Sequence, residues 1–331
     1  MNTILVTGGA GYAGSVVVRQ LLGEGYRVVA LDALKFGGQS LLGVWQHPQF
    51  TFHRCDITDF SMVDDLLRLY DFHAVVHLAA IVGDPACKRD PKLATRTNWE
   101  ASLHLVQACL DRHVPRFVFA STCSNYGKMA DPNGYVTEDS PLAPVSLYAE
   151  LKVKVESHIL RALPHASGFC PTALRFATIY GLSPRMRFDL TVNEFTKDLA
   201  LGRELVVFGE QFWRPYCHVS DFARAVLAVL RAEPDAVAYN VFNVGDTKEN
   251  YTKKMIVDEI ARLIPNARVK YVPQAEDPRD YRVDFTKIAS LLDFHVSRHV
   301  VDGIAEVKQV VEAGVIGDPD DQCYYNIPHE A

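Results

Sequence analysis

The run Thr7-Gly8-Gly9-Ala10-Gly11-Tyr12-Ala13-Gly14 follows a short apolar strand, Ile4–Val6, and opens an amphipathic stretch, Val16–Leu22. No other feature narrows the possible folds as far. In a strand–turn–helix setting, Gly8 permits the tight turn, Gly11 lets the backbone approach a pyrophosphate and Gly14 lets the helix pack closely. The helix N-terminus, at Tyr12 and Ala13, then offers N–H groups and the positive end of its dipole to an anion. Taken alone, the run is also compatible with a glycine-rich turn that binds nothing.

The strand–helix alternation continues beyond this point. Val28–Leu31, Ala74–Leu78 and Phe117–Ala120 are short apolar segments, and Met62–Leu69 and Leu93–Leu110 are amphipathic stretches between them. Such alternation predicts a parallel sheet covered on both faces, a Rossmann-like, doubly wound α/β fold. The region Lys128–Val145, with Pro132, Asn133-Gly134, Pro141 and Pro144, reads as an irregular loop, and a strand at Thr172–Phe176 follows a helix beginning near Ser146. Thereafter the pattern loosens. Val192–Leu201 and Lys253–Leu263 read as helices, whereas Val219–Leu230 and Tyr239–Val244 read as an αβ unit returning to the sheet. The expected organisation is a dinucleotide-binding domain of residues 1–180 plus about 217–250, with a smaller, discontinuous C-terminal α/β substrate domain of about 181–216 plus 251–331.

Length and composition permit this. A chain of 331 residues, 48% of them hydrophobic, can bury a large core and a smaller one. The net charge of −6 comes without a long like-charge run, which leaves no electrostatic footprint for gripping nucleic acid or an anionic membrane. The seven cysteines, at 55, 87, 109, 123, 170, 217 and 323, form no CxxC pair or Cys/His cluster, so they read as reduced thiols and no metal is expected. Met1 leads into the first strand without a basic region or cleavage site, and no apolar segment approaches the roughly 20 residues of a membrane span. The expected location is the cytoplasm.

Asp32 ends the second strand about 20 residues beyond the glycine run, where a carboxylate can accept both hydroxyls of an adenosine ribose. A 2′-phosphate would meet like-charge repulsion there, softened only by Lys35, so NAD is the expected cofactor. Capping of the strand-to-loop turn is the other use of an aspartate at this place. Asp56-Ile57 offers a carboxylate and a backbone amide to adenine, or else a turn or helix cap. Leu78-Ala79-Ala80 brings small side chains close to the path of the nicotinamide half.

A reactive end follows the fifth strand. Ser121-Thr122-Cys123-Ser124-Asn125-Tyr126-Gly127 precedes Tyr148-Ala149-Glu150-Leu151-Lys152, in which Tyr148 and Lys152 share a helix face. A free tyrosine with a pKa near ~10 is a poor base at neutral pH, and nearby positive charge stabilises its phenolate. Many helices carry a Tyr-x-x-x-Lys pair merely as a solvated face.

In this order the glycine run, Asp32, Asp56-Ile57, Leu78-Ala79-Ala80, Asn98, Ser121-Thr122 through Gly127, Tyr148/Lys152 and Arg214 through His218-Val219-Ser220-Asp221 resemble the extended short-chain dehydrogenase/reductase family, particularly its NAD-dependent sugar-nucleotide epimerases and dehydratases. The resemblance implies that Thr122 hydrogen-bonds the reacting sugar hydroxyl, Tyr148 removes its proton and Lys152 also holds the nicotinamide ribose. It places Asn98 near the cofactor, fixing local backbone, although a mid-helix asparagine is as readily structural. Family dehydratases resemble one another in carrying Asp-Glu after the threonine; this chain has Cys123-Ser124 there, which disfavours a simple 4,6-dehydratase. Cys123 could trade protons if its pKa were lowered, or be a small buried filler, while Ser124 is counted with the substrate.

Thr178 stands where many members carry an asparagine contacting the sugar phosphate. Arg185 and Arg187, just ahead of a predicted helix, suit bidentate phosphate recognition or surface ion pairs. Arg214 and Arg279 resemble the family arginines that contact the substrate diphosphate, with Arg282 as a neighbouring competitor. The resemblance implies a nucleoside-diphosphate sugar as partner, epimerised through a transient keto-sugar at carbon 4, and a homodimer joined through Pro91–Arg112 and Ser146–Arg161. The run Ser183–Leu190 and its continuation resemble a subgroup that includes oxidases of nucleotide-linked heptoses, so an NDP-sugar dehydrogenase or ketoreductase with net redox is the alternative. A non-catalytic NAD-sensing protein is a remoter one.

The carboxylate of Asp32 sets a first expectation. The purified protein should bind NAD or NADH much more tightly than the 2′-phosphorylated forms, as calorimetric titration of both would measure; equal affinities would show that a base such as Lys35 overrides Asp32.

Overall fold

The computed structural model describes residues 2–129, 131, 133–162, 168–275, 277 and 279–327; Met1, Pro132 of the expected loop and Pro278 beside Arg279 lie outside them. In chain order the strands are β1 (Thr3–Thr7), β2 (Arg27–Asp32), β3 (Phe50–Arg54), β4 (Phe72–His77), β5 (Arg116–Thr122), β6 (Cys170–Phe176), β7 (Thr178–Tyr180), β8 (Glu204–Phe208), β9 (Trp213–His218), β10 (Asn240–Val244), β11 (Asn250–Thr252) and β12 (Arg268–Val272). The helices are α1 (Tyr12–Gly23), α2 (Phe60–Leu69), α3 (Asp84–Arg89), α4 (Pro91–Thr95), α5 (Ala101–Asp111), α6 (Leu147–Ser157), α7 (Thr191–Ala200), α8 (Val219–Arg231), α9 (Pro234–Val237), α10 (Lys253–Leu263), α11 (Thr286–Leu292) and α12 (Val300–Glu312).

Seven parallel strands form one sheet in the order β3-β2-β1-β4-β5-β6-β10. The αβ unit α8–β10 thus returns to the sheet, as its sequence pattern predicts. Alternate residues of each strand face opposite sides. Ile4 and Val6 pack with Val18 and Leu21 of α1 and Phe222 and Val226 of α8, whereas Leu5 packs with Leu66 of α2, Leu105 of α5 and Val155 of α6. Burial on both faces explains why these strands read as continuous apolar runs rather than as alternating ones. Winding reverses between β1 and β4, so their carboxyl ends open the crevice in which ligands of such sheets bind.

A separate core joins α7, α10 and α12 through Val192, Phe195, Leu199, Ile256, Ile260 and Ile304. Beside it lie two small sheets, β11-β9-β7 and β12-β8. Among the described residues no helix is long and apolar enough to cross a membrane.

One expected helix differs. The stretch Leu93–Leu110 is divided into α4, a π-helical turn at Arg96–Glu100 and α5. The wider turn buries Asn98, whose Oδ1 accepts from the Ile81 amide at 2.7 Å and whose Nδ2 donates to the Ile81 carbonyl at 2.9 Å. A single wide turn of five residues is too short to leave a hydrophobic period of its own in the sequence.

Behind the carboxyl end of β5 lies a buried polar network. Arg175 of β6, 3% exposed, pairs with the equally buried Glu156 of α6, its Nε lying 3.1 Å from both carboxylate oxygens. Arg175 Nη1 donates to the Tyr126 hydroxyl at 2.9 Å, Ser121 donates to Glu156 at 2.7 Å, and Tyr126 donates to Asn243 of β10 at 2.7 Å. The network fixes the turn that begins at Thr122. Arg175→Met should lower stability by about 3–5 kcal/mol in equilibrium denaturation, because it leaves Glu156 buried and unpaired, and a second change, Glu156→Leu, should restore most of the loss. Equal stability of Arg175→Met and the parent would show that Glu156 finds another partner.

Candidate active site

The glycine turn builds the first wall of the site. Gly8 has φ +74° and donates its N–H to the Leu31 carbonyl at 2.7 Å, while a Cβ on Gly14 would stand 1.9 Å from the Gly8 carbonyl oxygen. Only glycine allows α1 to begin this close to the turn. Gly8, Gly11, Tyr12 and Ala13 consequently line a groove shared with Asp32, Asp56 and Ile81.

Asp32 stands at the far end of this wall. Its Oδ2 accepts from the Ala10 amide at 3.0 Å and its Oδ1 from the Leu34 amide at 2.8 Å, so it caps the turn and faces the groove at once. Each oxygen keeps a second lone pair for a ribose hydroxyl. Burial pushes its carboxyl up, opposed by those two amides. Asp56 accepts from the backbone and hydroxyl of Thr58 and pairs with Lys35 at 3.3 Å; it also lines the groove, with Ile57. Asp32 and Asp56 are thus each a turn cap and a groove-lining carboxylate. Lys35 pairs with Asp56 and, together with Arg185, acts on Asp32 through its charge alone.

Leu78, Ala79 and Ala80 form the opposite wall. Thr7 Oγ1 accepts from the Leu78 and Ala79 amides at 3.2 Å each and lies 2.7 Å from Nδ1 of His77. On the other side of that ring, Nε2 lies 2.9 Å from the Ser102 hydroxyl, which donates to the Asn98 carbonyl at 2.9 Å. Burial pulls His77 down to about 3, so it remains neutral. A neutral ring with its proton on Nε2 satisfies the whole chain from Thr7 to Asn98. Asn98 does not itself line the groove; it secures Ile81, which does.

Thr122, at the end of β5, accepts from the Ser124 amide at 3.1 Å. Tyr148 lies in the first turn of α6, which Ser146 caps by accepting from the Ala149 amide. Tyr148 packs against the same small cluster of Cys87, Ala94 and Leu151 as Ile81, which lines the groove; Tyr148, Thr122 and Lys152 are not part of that lining. Lys152 Nζ lies 5.9 Å from the Tyr148 ring centre and donates to the Ala120 carbonyl at 2.7 Å. Burial holds Lys152 down to about 8, and it pushes the Tyr148 phenol up, opposed by the charge of Arg187. Two cations from different parts of the chain thus stand near one phenol.

Cys123 must be corrected as a proton-transfer candidate. Its thiol is 1% exposed in the core, donates to the Arg175 carbonyl at 3.2 Å and is pushed up by burial. It lies under the turn rather than at the site. Ser124 instead hydrogen-bonds Tyr281, a buried phenol also close to Arg214. Arg214 donates to Asp277 at 2.8 Å; Arg279 donates to Asp84 at 2.9 Å and lies 3.7 Å from Asp277. These two arginines form one cluster above Tyr281. Thr178, in β7, pairs with Tyr216 of β9 and does not line the groove.

Arg185 and Arg187, expected at the substrate, line the dinucleotide groove with Asp32 and Tyr12. Residues that sequence reasoning missed are Tyr281, Phe36 and Asn326: Phe36 stacks under Arg185 at 4.3 Å, and Asn326 reaches the groove from the C-terminal segment. All three lie in irregular backbone, where no periodicity marks a side chain's direction.

Comparison with known proteins gives a consistent result. The model of the NAD dependent epimerase/dehydratase family matches residues 4–245. The UDP-glucuronate 4-epimerase of Thermodesulfobacterium geofontis is 28% identical over 314 residues, covering 92% of this chain and 94% of that one. A dTDP-glucose 4,6-dehydratase of Streptomyces griseus is 32% identical over 312 residues, covering 91% and 92%. The structure of a UDP-glucuronic acid 4-epimerase from Bacillus cereus, in complex with UDP-glucuronic acid and NAD, is similar with a TM-score of 0.81 at 25% identity, covering 94% of this chain and 99% of that one.

The chemistry of Tyr148 is directly testable. Tyr148→Phe should leave cofactor binding nearly intact and reduce turnover by at least about 100-fold, since only acid–base chemistry is removed. Lys152→Ala should impair both. Normal turnover of the Tyr148 variant, in a steady-state assay, would place the base elsewhere.

Proposed function

The chain belongs to the NAD dependent epimerase/dehydratase family, and from that membership we propose that it epimerises a nucleoside-diphosphate sugar, oxidising a ring hydroxyl at carbon 4 and restoring it from the opposite face. It is an NAD-dependent enzyme. The residues present fit that cofactor: the Gly8–Gly14 contact has no room for a side chain, and the buried Arg185 Nε has no hydrogen-bond partner among the described residues. Bound NAD supplies a reversible hydride acceptor.

The chain's own groups do the rest. Thr122 orients the reacting hydroxyl, and Tyr148 takes its proton, with Lys152 and Arg187 favouring the phenolate. Lys152, held down to about 8, is still mostly charged at neutral pH. Arg214 and Arg279 receive the sugar's diphosphate, each exchanging a carboxylate, Asp277 or Asp84, for phosphate oxygens. Ser124 borders the sugar, with the buried Tyr281 behind it. The proposed enzyme works in the cytoplasm as a homodimer joined across α5 and α6, with residues 1–180 plus about 217–250 holding NAD and the remainder holding the sugar nucleotide.

The observation that carries epimerisation, over the dehydration performed by some relatives, is the site beside Thr122. Elimination of water needs an additional acid and base there. Cys123 is buried away from the site and Ser124 is hydrogen-bonded to Tyr281, so the pair following Thr122 offers neither. A keto-sugar can form here, yet that pair supplies no proton exchange for elimination.

The test follows the fate of the reducing equivalents. The enzyme is incubated with UDP-, GDP-, ADP-, CDP- and TDP-sugars while absorbance of reduced nicotinamide is recorded and sugar epimers are resolved by NMR. A new epimer with catalytic cofactor is expected. One reduced nicotinamide per keto-sugar, with no epimer, would overturn epimerisation in favour of net oxidation.

A further inference from the structure

We propose that Arg185, Arg187 and Asn326 hold the diphosphate of NAD from the side opposite the glycine turn, and that the C-terminal segment Asp318–Asn326 is the strap that keeps this clamp closed. The proposal concerns cofactor retention and stands whether the sugar is epimerised or oxidised.

Placement comes first. Arg185, Arg187 and Asn326 line the same groove as Gly11 and Tyr12. Their position against the start of α1 is fixed by buried bonds: Tyr12 Oη donates to the Gly181 carbonyl at 2.6 Å, Ser183 donates to the Tyr12 carbonyl at 2.6 Å, and Asn193 Nδ2 donates to the Arg187 carbonyl at 2.9 Å. The guanidinium segment and the helix N-terminus therefore form one construction. An anion lying on the α1 amides has these side chains on its other side.

Charge gives the second argument. Arg187 is matched by Asp189, through bonds of 2.8 and 2.9 Å. Among the described residues Arg185 has no such ion pair: it is 7% exposed, lies 4.3 Å over the Phe36 ring, and its guanidinium's donation to the Tyr325 carbonyl is long at 3.5 Å. Its Nε has no partner among the described residues. Burial and the like charge of Arg187 hold it down to about 10. A buried guanidinium short of acceptors is costly, and phosphate oxygens complete it. Asn326 also lines the groove, and its side-chain Nδ2 is the group that can donate to a phosphate oxygen.

The strap explains how Asn326 reaches the groove. Lys197 of α7 bonds Asp320 and the Tyr325 hydroxyl at 3.0 Å each, and Arg203 pairs with Asp320 as well. The Phe188 amide donates to the Tyr324 carbonyl at 3.0 Å, and the Asn326 amide donates to Asp189 at 3.1 Å. Asp189 thus orients Arg187 and pins the strap together. Release of the cofactor's diphosphate requires these bonds to open.

Calorimetric titration of the full-length protein with NAD, ADP and adenosine separates the phosphate contacts from those to the base and ribose. Arg185→Gln should weaken NAD and ADP by at least about tenfold, the loss of one charge-assisted hydrogen-bonding group, and leave adenosine nearly unchanged. Asn326→Asp, at a more accessible position, should show the same pattern by placing a carboxylate against the phosphates; it serves if Arg185→Gln does not fold, as judged by thermal unfolding. Unchanged NAD and ADP affinities in a folded variant would overturn the clamp. An equal loss for adenosine and ADP would also overturn it, assigning Arg185 to stacking on Phe36 rather than to phosphate. None of these readings depends on turnover.

Discussion

The contact between the start of α1 and the turn after β1 is the constraint on which the rest of the site depends. With glycine at both ends, the helix begins against the Gly8 carbonyl, at a distance that any Cβ on Gly14 would forbid. The same turn lies against β4, since a Cβ on Gly8 would fall 2.9 Å from the Ala79 nitrogen. The crevice between the carboxyl ends of β1 and β4 is thereby narrow and lined by backbone. Its dipole and its amides are in place before any ligand arrives.

Two buried polar networks stiffen this crevice from behind. The chain Thr7–His77–Ser102–Asn98 ties the ends of β1 and β4 to the π-helical turn, with a histidine that burial keeps neutral. Arg175–Glu156 ties β6 to α6 and, through Ser121, to the end of β5. Low local dielectric makes each network costly to leave incomplete, and this holds Thr122 and Tyr148 in one relation.

Electrostatics differ at the two ends of the active site. At the end proposed for the sugar nucleotide, Arg214 and Arg279 are already matched by Asp277 and Asp84. An incoming diphosphate must displace carboxylates there, which favours a correctly shaped ligand over any passing anion. At the cofactor end, the Arg185 guanidinium pairs with no carboxylate and its Nε stands unpartnered among the described residues.

The glycine run, Asp32, Asp56, and the pairing of Tyr148 with Lys152 were legible in the sequence because each depends on local geometry: a turn, a strand end, one helical repeat. The order of βα units likewise prescribed a parallel sheet, since such strands can be covered only by the helices between them. What the tertiary structure alone decided is long-range. Sequence spacing could not show that Cys123 turns under β6, that Arg185 and Arg187 face the dinucleotide groove, or that Asn326 returns to it from the far end of the chain. Irregular segments carry no period to fix a side chain's direction, and a guanidinium can reach either of two neighbouring anion sites. The bonds from Tyr12 to Gly181 and from Ser183 to Tyr12 hold the arginine segment against the start of α1, because they join parts of the chain about 170 residues apart.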